Sequence, residues 1–155
     1  MADDAGMFRA ARLDDLDAIL ALYRQLHPQD PPSQDAPARF RQILASPGLH
    51  LFVLEAAGAV VATTYLNVIP NLTRSAAPYA VVENVVVDAA HRGTGLGRQI
   101  MAGTLRAAWD AGCYKVMLMT GSRDPGTHAF YRACGFSGDI KTAYVVHDRR
   151  HGSPL

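Results

Sequence analysis

The chain has 155 residues, of which 49% are apolar and 19% charged, and its formal charge is +1. That length and balance belong to a globular chain that can bury one substantial core, and they exclude a disordered one. With no acidic or basic excess, neither nucleic acid nor a membrane surface is indicated as a partner, and a polyphosphate ligand would have to be held by a local arrangement.

In chain order, Phe8, Ala10 and Ala11 suggest a short first strand. Leu13, Leu16, Ile19, Leu20, Tyr23 and Leu26 recur at helical spacing. Asp14 and Asp15 sit in that helix's first turn, where negative charge complements the dipole. Pro28 closes it, and Pro31-Pro32-Ser33 is a loop. Phe40, Ile43 and Leu44 mark a second, shorter helix that Ser46-Pro47-Gly48 stops. Leu51-Phe52-Val53-Leu54 reads as a strand, Ala56-Ala57-Gly58-Ala59 as a turn and residues 60–68 as the returning strand, an antiparallel hairpin. Residues 70–75 read as a loop, and Tyr79–Val87 as a strong valine-rich strand.

A glycine-rich turn follows that strand. Then Leu96, Ile100, Met101, Leu105, Ala108 and Trp109 fall near one helical face, and Gly112 sits where a left-handed cap would end the helix. Residues 114–119 read as a short apolar strand, 121–126 as a loop and 127–134 as a short helix ended by Gly135. Phe136 and residues 142–147 supply late strand material. The order β-α-α-β-β-β-α-β-α-β predicts an α/β or α+β fold in a single domain, residues 1–155, with its core at about 7–147. Strand 79–87, the helix from Leu96 and the strand at Tyr114 form a β-α-β crossover, so that part of the sheet is expected to be parallel.

Cys113 and Cys134 show neither CxxC spacing nor a nearby His cluster, so no metal site is expected and both read as reduced thiols. The acidic start, Met1-Ala2-Asp3-Asp4, lacks a hydrophobic signal core. No apolar run approaches the roughly 20 residues of a membrane span. A soluble, cytoplasmic protein is expected.

The informative segment is Arg92-Gly93-Thr94-Gly95-Leu96-Gly97. A helix N-terminus offers unpaired N–H groups and partial positive charge. Glycines let the backbone approach an anion and adopt positive φ. Arg92 and Arg98 flank the turn and can add charge-assisted bonds, which together make a pyrophosphate cradle. A Walker A loop needs Gly-Lys-Ser/Thr, and Gly97-Arg98-Gln99 does not supply it. A dinucleotide fingerprint is also a poor fit, since Arg98 takes its sixth position and the segment lies mid-chain without a second nucleotide-binding half. On the turn alone, a glycine-rich helix start with no ligand stays open.

Two blocks carry a family resemblance. Val85-Val86-Val87-Asp88-Ala89-Ala90-His91-Arg92-Gly93-Thr94-Gly95-Leu96-Gly97 resembles the acetyl-CoA signature of the general N-acetyltransferase (GNAT) superfamily, with Arg92, Gly95 and Gly97 at its fixed positions. His128-Ala129-Phe130-Tyr131-Arg132-Ala133-Cys134-Gly135-Phe136 resembles the family's FYxxxGF segment. Glu83-Asn84-Val85-Val86-Val87 and Gly112-Cys113-Tyr114-Lys115 look closest to the glucosamine-phosphate N-acetyltransferase-like branch. The resemblance implies a central mixed, mostly antiparallel twisted sheet with a parallel β-α-β crossover and helices on both faces. It implies acetyl-CoA as cofactor and transfer of its acetyl group directly to a primary amine of a small molecule. A protein or peptide amine, or an acyl-CoA sensor without turnover, remains as the alternative, and the resemblance also admits a homodimer.

Such a transfer needs an unprotonated amine, from an ammonium with a pKa near ~10.4, and a proton for a thiolate leaving group of pKa about 8.5. Glu83 is the candidate base, because a carboxylate in the otherwise apolar strand is costly unless paired or facing a site, and partial burial would raise its pKa. Tyr131 is the candidate acid, placed by the resemblance at the family's thiol-facing tyrosine. A backbone N–H near Val85 or Val86 would polarise the thioester carbonyl, with the main chain through Val87 binding the pantetheine arm. Thr127 falls where many relatives carry an Asn that contacts the cofactor. The cofactor set is thus Val85, Val86, Val87, Arg92, Gly93, Thr94, Gly95, Leu96, Gly97, Arg98, Thr127 and Tyr131. Arg74, Tyr79, Asn84, Lys141 and Tyr144 are candidates for the acceptor pocket, and Arg74 and Lys141 would suit a phosphate or carboxylate.

Overall fold

The computed structural model describes residues 6–148 and 150. The two ends of the expected 1–155 domain, including the acidic N-terminal stretch, lie outside the described residues. The chain divides into two compact units, Met1–Leu118 and Met119–Leu155.

The first unit holds a five-stranded sheet in the order β1-β2-β3-β4-β5. Its strands are β1 (Met7–Ala10), β2 (Leu49–Ala56), β3 (Ala59–Ile69), β4 (Tyr79–Val87) and β5 (Val116–Met117). The first three pairings are antiparallel, and β4 pairs β5 in parallel. Helices α1 (Leu16–Leu26) and α2 (Ala36–Ala45) precede β2, a short turn α3 (Thr73–Ala76) joins β3 to β4, and α4 (Leu96–Asp110) joins β4 to β5. The expected mixed, mostly antiparallel sheet with a parallel crossover is therefore present.

Strand alternation places helices on both faces. Leu51 and Val53 of β2 pack with Ile19 of α1 and Phe40 of α2. Leu54 and Ala56 of the same strand pack with Leu96 and Ile100 of α4. The α4 face differs from its apolar reading. The buried row is Leu96, Ile100, Thr104 and Ala108, with Met101 beside it. Trp109 is 51% exposed. A polar residue occupies the core row because Thr104 Oγ1 bonds Thr64 Oγ1 at 2.6 Å and the Ile100 carbonyl at 2.8 Å, which satisfies it without water.

Arg9 of β1 fastens this unit. Its guanidinium donates to both carboxylate oxygens of Asp15, at 2.7 and 2.9 Å, and to Glu55 Oε2 of β2 at 3.0 and 3.1 Å. Asp15 is buried, and its carboxyl is held below the usual range, first by the hydrogen bond from Arg9. A depressed folded-state pKa contributes stability that is present above the unfolded pKa and is lost as pH falls through the folded value. Asp15→Asn is expected to cost about 2 kcal/mol at neutral pH, because a bidentate charge-assisted pair is replaced by weaker contacts and Arg9 keeps only Glu55 as a charged partner. Urea unfolding at neutral and acid pH checks this: the difference from the native chain should shrink on acidification.

Two further expectations are corrected. Residues 70–75 are not wholly a loop, since α3 begins at Thr73, but Arg74, Ser75 and Ala76 all have positive φ (57, 57 and 60°), so this is a left-handed turn. Asn71 Nδ2 holds it by donating to the carbonyls of Thr73 (2.9 Å) and Ala77 (3.2 Å). The strand expected over 114–119 shortens to β5, because only Ala80 and Val81 of β4 pair with it.

The described part of the second unit contains helix α5 (Pro125–Ala133), capped by Asp124 through the Thr127 N–H at 3.0 Å, with Gly135 just past its end. Residues 142–147, read as a late strand, are not a strand. Tyr144 and Val146 are 93% and 95% exposed there, and a strand exists only where another strand completes its ladder.

Candidate functional site

At the end of β4, Asp88 starts a 3-10 turn (Ala89–His91). Its Oδ1 accepts from the Ala90 N–H at 2.9 Å and meets His91 Nδ1 at 3.0 Å, while Oδ2 accepts from Gln25 Nε2 of α1 at 2.8 Å. Gln25 Oε1 in turn accepts the Ala89 N–H at 3.0 Å. These contacts hold the Asp88 carboxyl below the usual carboxylate range, the bond from Gln25 foremost. Thr94 Oγ1 donates to the His91 carbonyl at 2.6 Å, and Arg92 Nε donates to the Val87 carbonyl at 3.1 Å.

The turn ends on Gly95, the N-cap of α4, at φ 92°, with no side chain capping the helix. Gly93 has φ 77°. A Cβ built on either glycine meets nothing within 4 Å, so the space in front of the helix start is open. The first intrahelical bond is Gln99 N–H to the Gly95 carbonyl, which leaves the N–H groups of Leu96, Gly97 and Arg98 without intrahelical partners. Arg92 and Arg98 are exposed at its margin. Free N–H groups, the dipole's positive end, two guanidinium groups and open space fit the pyrophosphate of coenzyme A.

β4 carries a bulge four to five residues before that turn. Thr63 pairs with Val86 and Tyr65 with Glu83, so the single residue Thr64 faces two, Asn84 and Val85. Asn84 takes φ 50°, a left-handed conformation that costs about 1–3 kcal/mol for a residue with a side chain, although Asn tolerates it better than most. The ladder is interrupted at the segment where the carbonyl-polarising N–H is expected. Among the described residues β5 pairs only with Ala80 and Val81, so the rest of β4 has a neighbouring strand on one side only.

Tyr79, Val81 and Glu83 alternate onto one face of β4, while Ala80 and Val82 are buried on the other. Glu83 is exposed, contrary to the partial burial expected of it. Beside it, across the strand pair, lies Tyr65, whose phenol burial pushes up. The Tyr23 phenol of α1 is pushed up to about 12, chiefly by burial, with the polar side chains of Asn84 and Thr63 opposing.

At the start of the same strand the structure gathers a cation–aromatic cluster. Lys115 Nζ lies 5.2 Å from the Tyr79 ring centre and 5.3 Å from that of Tyr114, and the Arg74 guanidinium lies 5.9 Å from Tyr114. Among the described residues neither cation has an acidic partner within ion-pair distance. The left-handed turn presents Arg74 there. A separate open cleft of about 550 Å³ is lined by Arg9, Asp15, Gln25, Glu55 and Asp88 among others. Those five side chains are already engaged with one another or with the Asp88 turn.

In the second unit, Thr127 Oγ1 donates to Asp124 Oδ2 and accepts from Ser122 Oγ, both at 3.3 Å, so its hydroxyl belongs to the α5 cap. The Tyr131 ring packs on Phe130 and Phe136, at 5.2 and 6.2 Å between ring centres. Lys141 and Tyr144 are exposed in that unit. The reading from sequence missed Gln25, Tyr23, Tyr114, Lys115 and the bulge. Only the pairing of Tyr114-Lys115 with a nearby strand start could have hinted at any of them.

A model of the acetyltransferase (GNAT) family matches residues 16–136. Glucosamine 6-phosphate N-acetyltransferase 1 of Oryza sativa subsp. japonica is 34% identical over 138 residues, which is 86% of this chain and 82% of that protein. A solved chain of Agrobacterium tumefaciens str. C58 assigned as an acetyltransferase is 47% identical, with a TM-score of 0.87 over 92% of this chain and 99% of its own. The crystal structure of glucosamine-6-phosphate N-acetyltransferase from Arabidopsis thaliana, 24% identical, has a TM-score of 0.79 over 92% of this chain and 99% of its own, a likeness of fold.

Proposed function

The chain belongs to the acetyltransferase (GNAT) family, and from that premise we propose that it transfers an acetyl group from acetyl-CoA directly to a primary amine of a small molecule that also carries an anionic group. What carries this reading is the open, uncapped start of α4 beside the bulged strand β4. The family match crosses the boundary between the two units, which supports one catalytic domain.

Acetyl-CoA supplies the acetyl group activated as a thioester. The N–H groups of the α4 start, with Arg92 and Arg98, hold its pyrophosphate; Gly93, Thr94, Gly95, Leu96 and Gly97 shape the turn. The main chain of Val85, Val86 and Val87 binds the pantetheine arm, and an N–H near Val85 or Val86 donates to the carbonyl oxygen as negative charge develops there. Glu83 takes a proton from the acceptor's ammonium, directly or through water. Tyr131, on the strength of the FYxxxGF motif alone, holds the proton for the departing sulfur, and Thr127 contributes a polar contact to the cofactor.

Arg74 and Lys115, without an acidic partner among the described residues and set over the rings of Tyr114 and Tyr79, suit the acceptor's phosphate or carboxylate. Asn84 lines the amine side, and Lys141 is a further candidate on charge alone. Relatives named for glucosamine 6-phosphate support an acceptor with both an amine and an anion. A cytoplasmic location and a homodimer complete the reading; among the described residues no helix is long and apolar enough to cross a membrane.

Thiol release from acetyl-CoA across a panel of amines tests it. The expected result is turnover with amino-sugar phosphates or other anionic amines above their neutral counterparts. Turnover only with peptide amines, or cofactor binding with no release for any amine, would reject it. Arg74→Ala is expected to raise KM for an anionic acceptor about tenfold, the loss of one charge-assisted bond, with little change for a neutral one.

A further inference from the structure

We infer that Gln25, at the end of α1, is a positioning residue for the cofactor turn, held by a two-way amide clamp on Asp88 and Ala89. The inference rests on the proposed function only in that the turn receives acetyl-CoA.

Gln25 and Asp88 are 63 residues apart. The carboxamide meets an obligate acceptor, the Asp88 carboxylate (2.8 Å), and an obligate donor, the Ala89 N–H (3.0 Å), so only one orientation of the amide satisfies both. Asp88 passes the restraint onward to Ala90 and His91, and His91 to Thr94 through its carbonyl. Asp88 is also tied to β3 by its N–H to the Val61 carbonyl at 2.8 Å. The segment leading to the phosphate-facing glycines is thus a chain of short polar links. Its first residues are anchored twice, Asp88 to the sheet through Val61, and Asp88 and Ala89 through Gln25 to a helix whose Ile19 and Leu22 are buried. An exposed turn held this way has lost its conformational freedom on folding. Less then remains to be lost when an anion binds, and affinity rises accordingly. Gln25 touches neither the helix start nor any group proposed to react, so its effect falls on cofactor affinity and not on the chemical step.

Calorimetric titration of acetyl-CoA into the full chain, without acceptor, tests this. Gln25→Leu keeps the side-chain bulk and removes both bonds; Kd is expected to rise about tenfold, while kcat at saturating acetyl-CoA stays within twofold. Gln25→Glu sets a carboxylate against Asp88 and is expected to raise Kd further. Adding Asp88→Asn to Gln25→Glu exchanges the donor and acceptor roles. The new amide donates to the new carboxylate, its oxygen still accepts the Ala90 N–H, and the carboxylate still accepts from Ala89. Recovery to within threefold of the native Kd is the signature of the clamp, one that a general loss of stability would not produce. Single-variant Kd values within twofold of native, or no recovery in the pair, overturn the inference. A native chain that binds acetyl-CoA but acetylates nothing rejects the proposed function while leaving this reading in place. A native chain that does not bind it rejects both.

Discussion

Gly95→Val is expected to weaken acetyl-CoA binding by about 100-fold or more and to lower stability by about 1–2 kcal/mol. Gly95 caps α4 at φ 92°, outside the region a β-branched side chain adopts. A Cβ there meets no atom of the protein, so the stability cost is conformational and not steric. The binding cost has a different origin. A valine in the open space fills the room an anion would occupy, and relaxing its φ turns the first N–H groups of α4 away. Each hydrogen bond to a charged group is worth about 1.5–3 kcal/mol, so losing two accounts for a 100-fold change or larger. Calorimetric titration of acetyl-CoA and thermal melts of the same variant separate the two effects. Gly95→Ala should fall between, since it carries the φ penalty with less bulk. Native affinity in Gly95→Val would mean that the helix start is not the anion site.

Glu83→Gln is expected to lower kcat by about 100- to 1,000-fold near neutral pH, within the usual range for removal of a general base. The loss should be greatest at low pH. An alkyl ammonium with a pKa near ~10.4 must shed its proton before it can attack, and the fraction already unprotonated grows tenfold with each pH unit. As pH rises toward that value, the variant should approach the native rate. Because Glu83 is exposed and Gln is isosteric, stability should change by no more than about 0.5 kcal/mol. Initial rates from pH 6 to 10 with the identified acceptor, together with melts, make the measurement. A variant within threefold of native at the low end would remove Glu83 from this role and turn attention to two phenols, Tyr65 across the strand pair and Tyr23 of α1.

The two expectations draw on different sources. Gly95 was legible in the sequence because its role is local: three alternating glycines after a valine run and before a helical apolar face need no distant residue to be understood. Glu83 was legible as a charged residue in an apolar strand, but its surroundings were not. The expected burial failed because alternation tells which residues share a face and not what covers that face. The late strand over 142–147 failed for a related reason. Thr142, Tyr144, Val145 and Val146 favour extended backbone, yet a strand is completed by a partner, and composition does not supply one.

The sequence by itself determined most elements of this protein and the place of its glycine-rich turn. Helical spacing from Leu13 to Leu26, strand patterning over 51–54, 60–68 and 79–87 and the glycines at 93, 95 and 97 are signals carried within a few residues, and each of those elements formed near its expected bounds, with the first turn of the helix, Leu13–Asp15, taking 3-10 form. Only the tertiary structure decided what stands around the turn. The bulge at Asn84 and Val85 depends on the register between β3 and β4. The meeting of Arg74 with Tyr114 and Lys115 depends on a left-handed turn and a parallel strand, and the clamp from Gln25 depends on where the end of α1 lies against β4. Periodicity encodes which face of an element is apolar; the distances between elements follow from packing all of them at once, and no single segment holds that information.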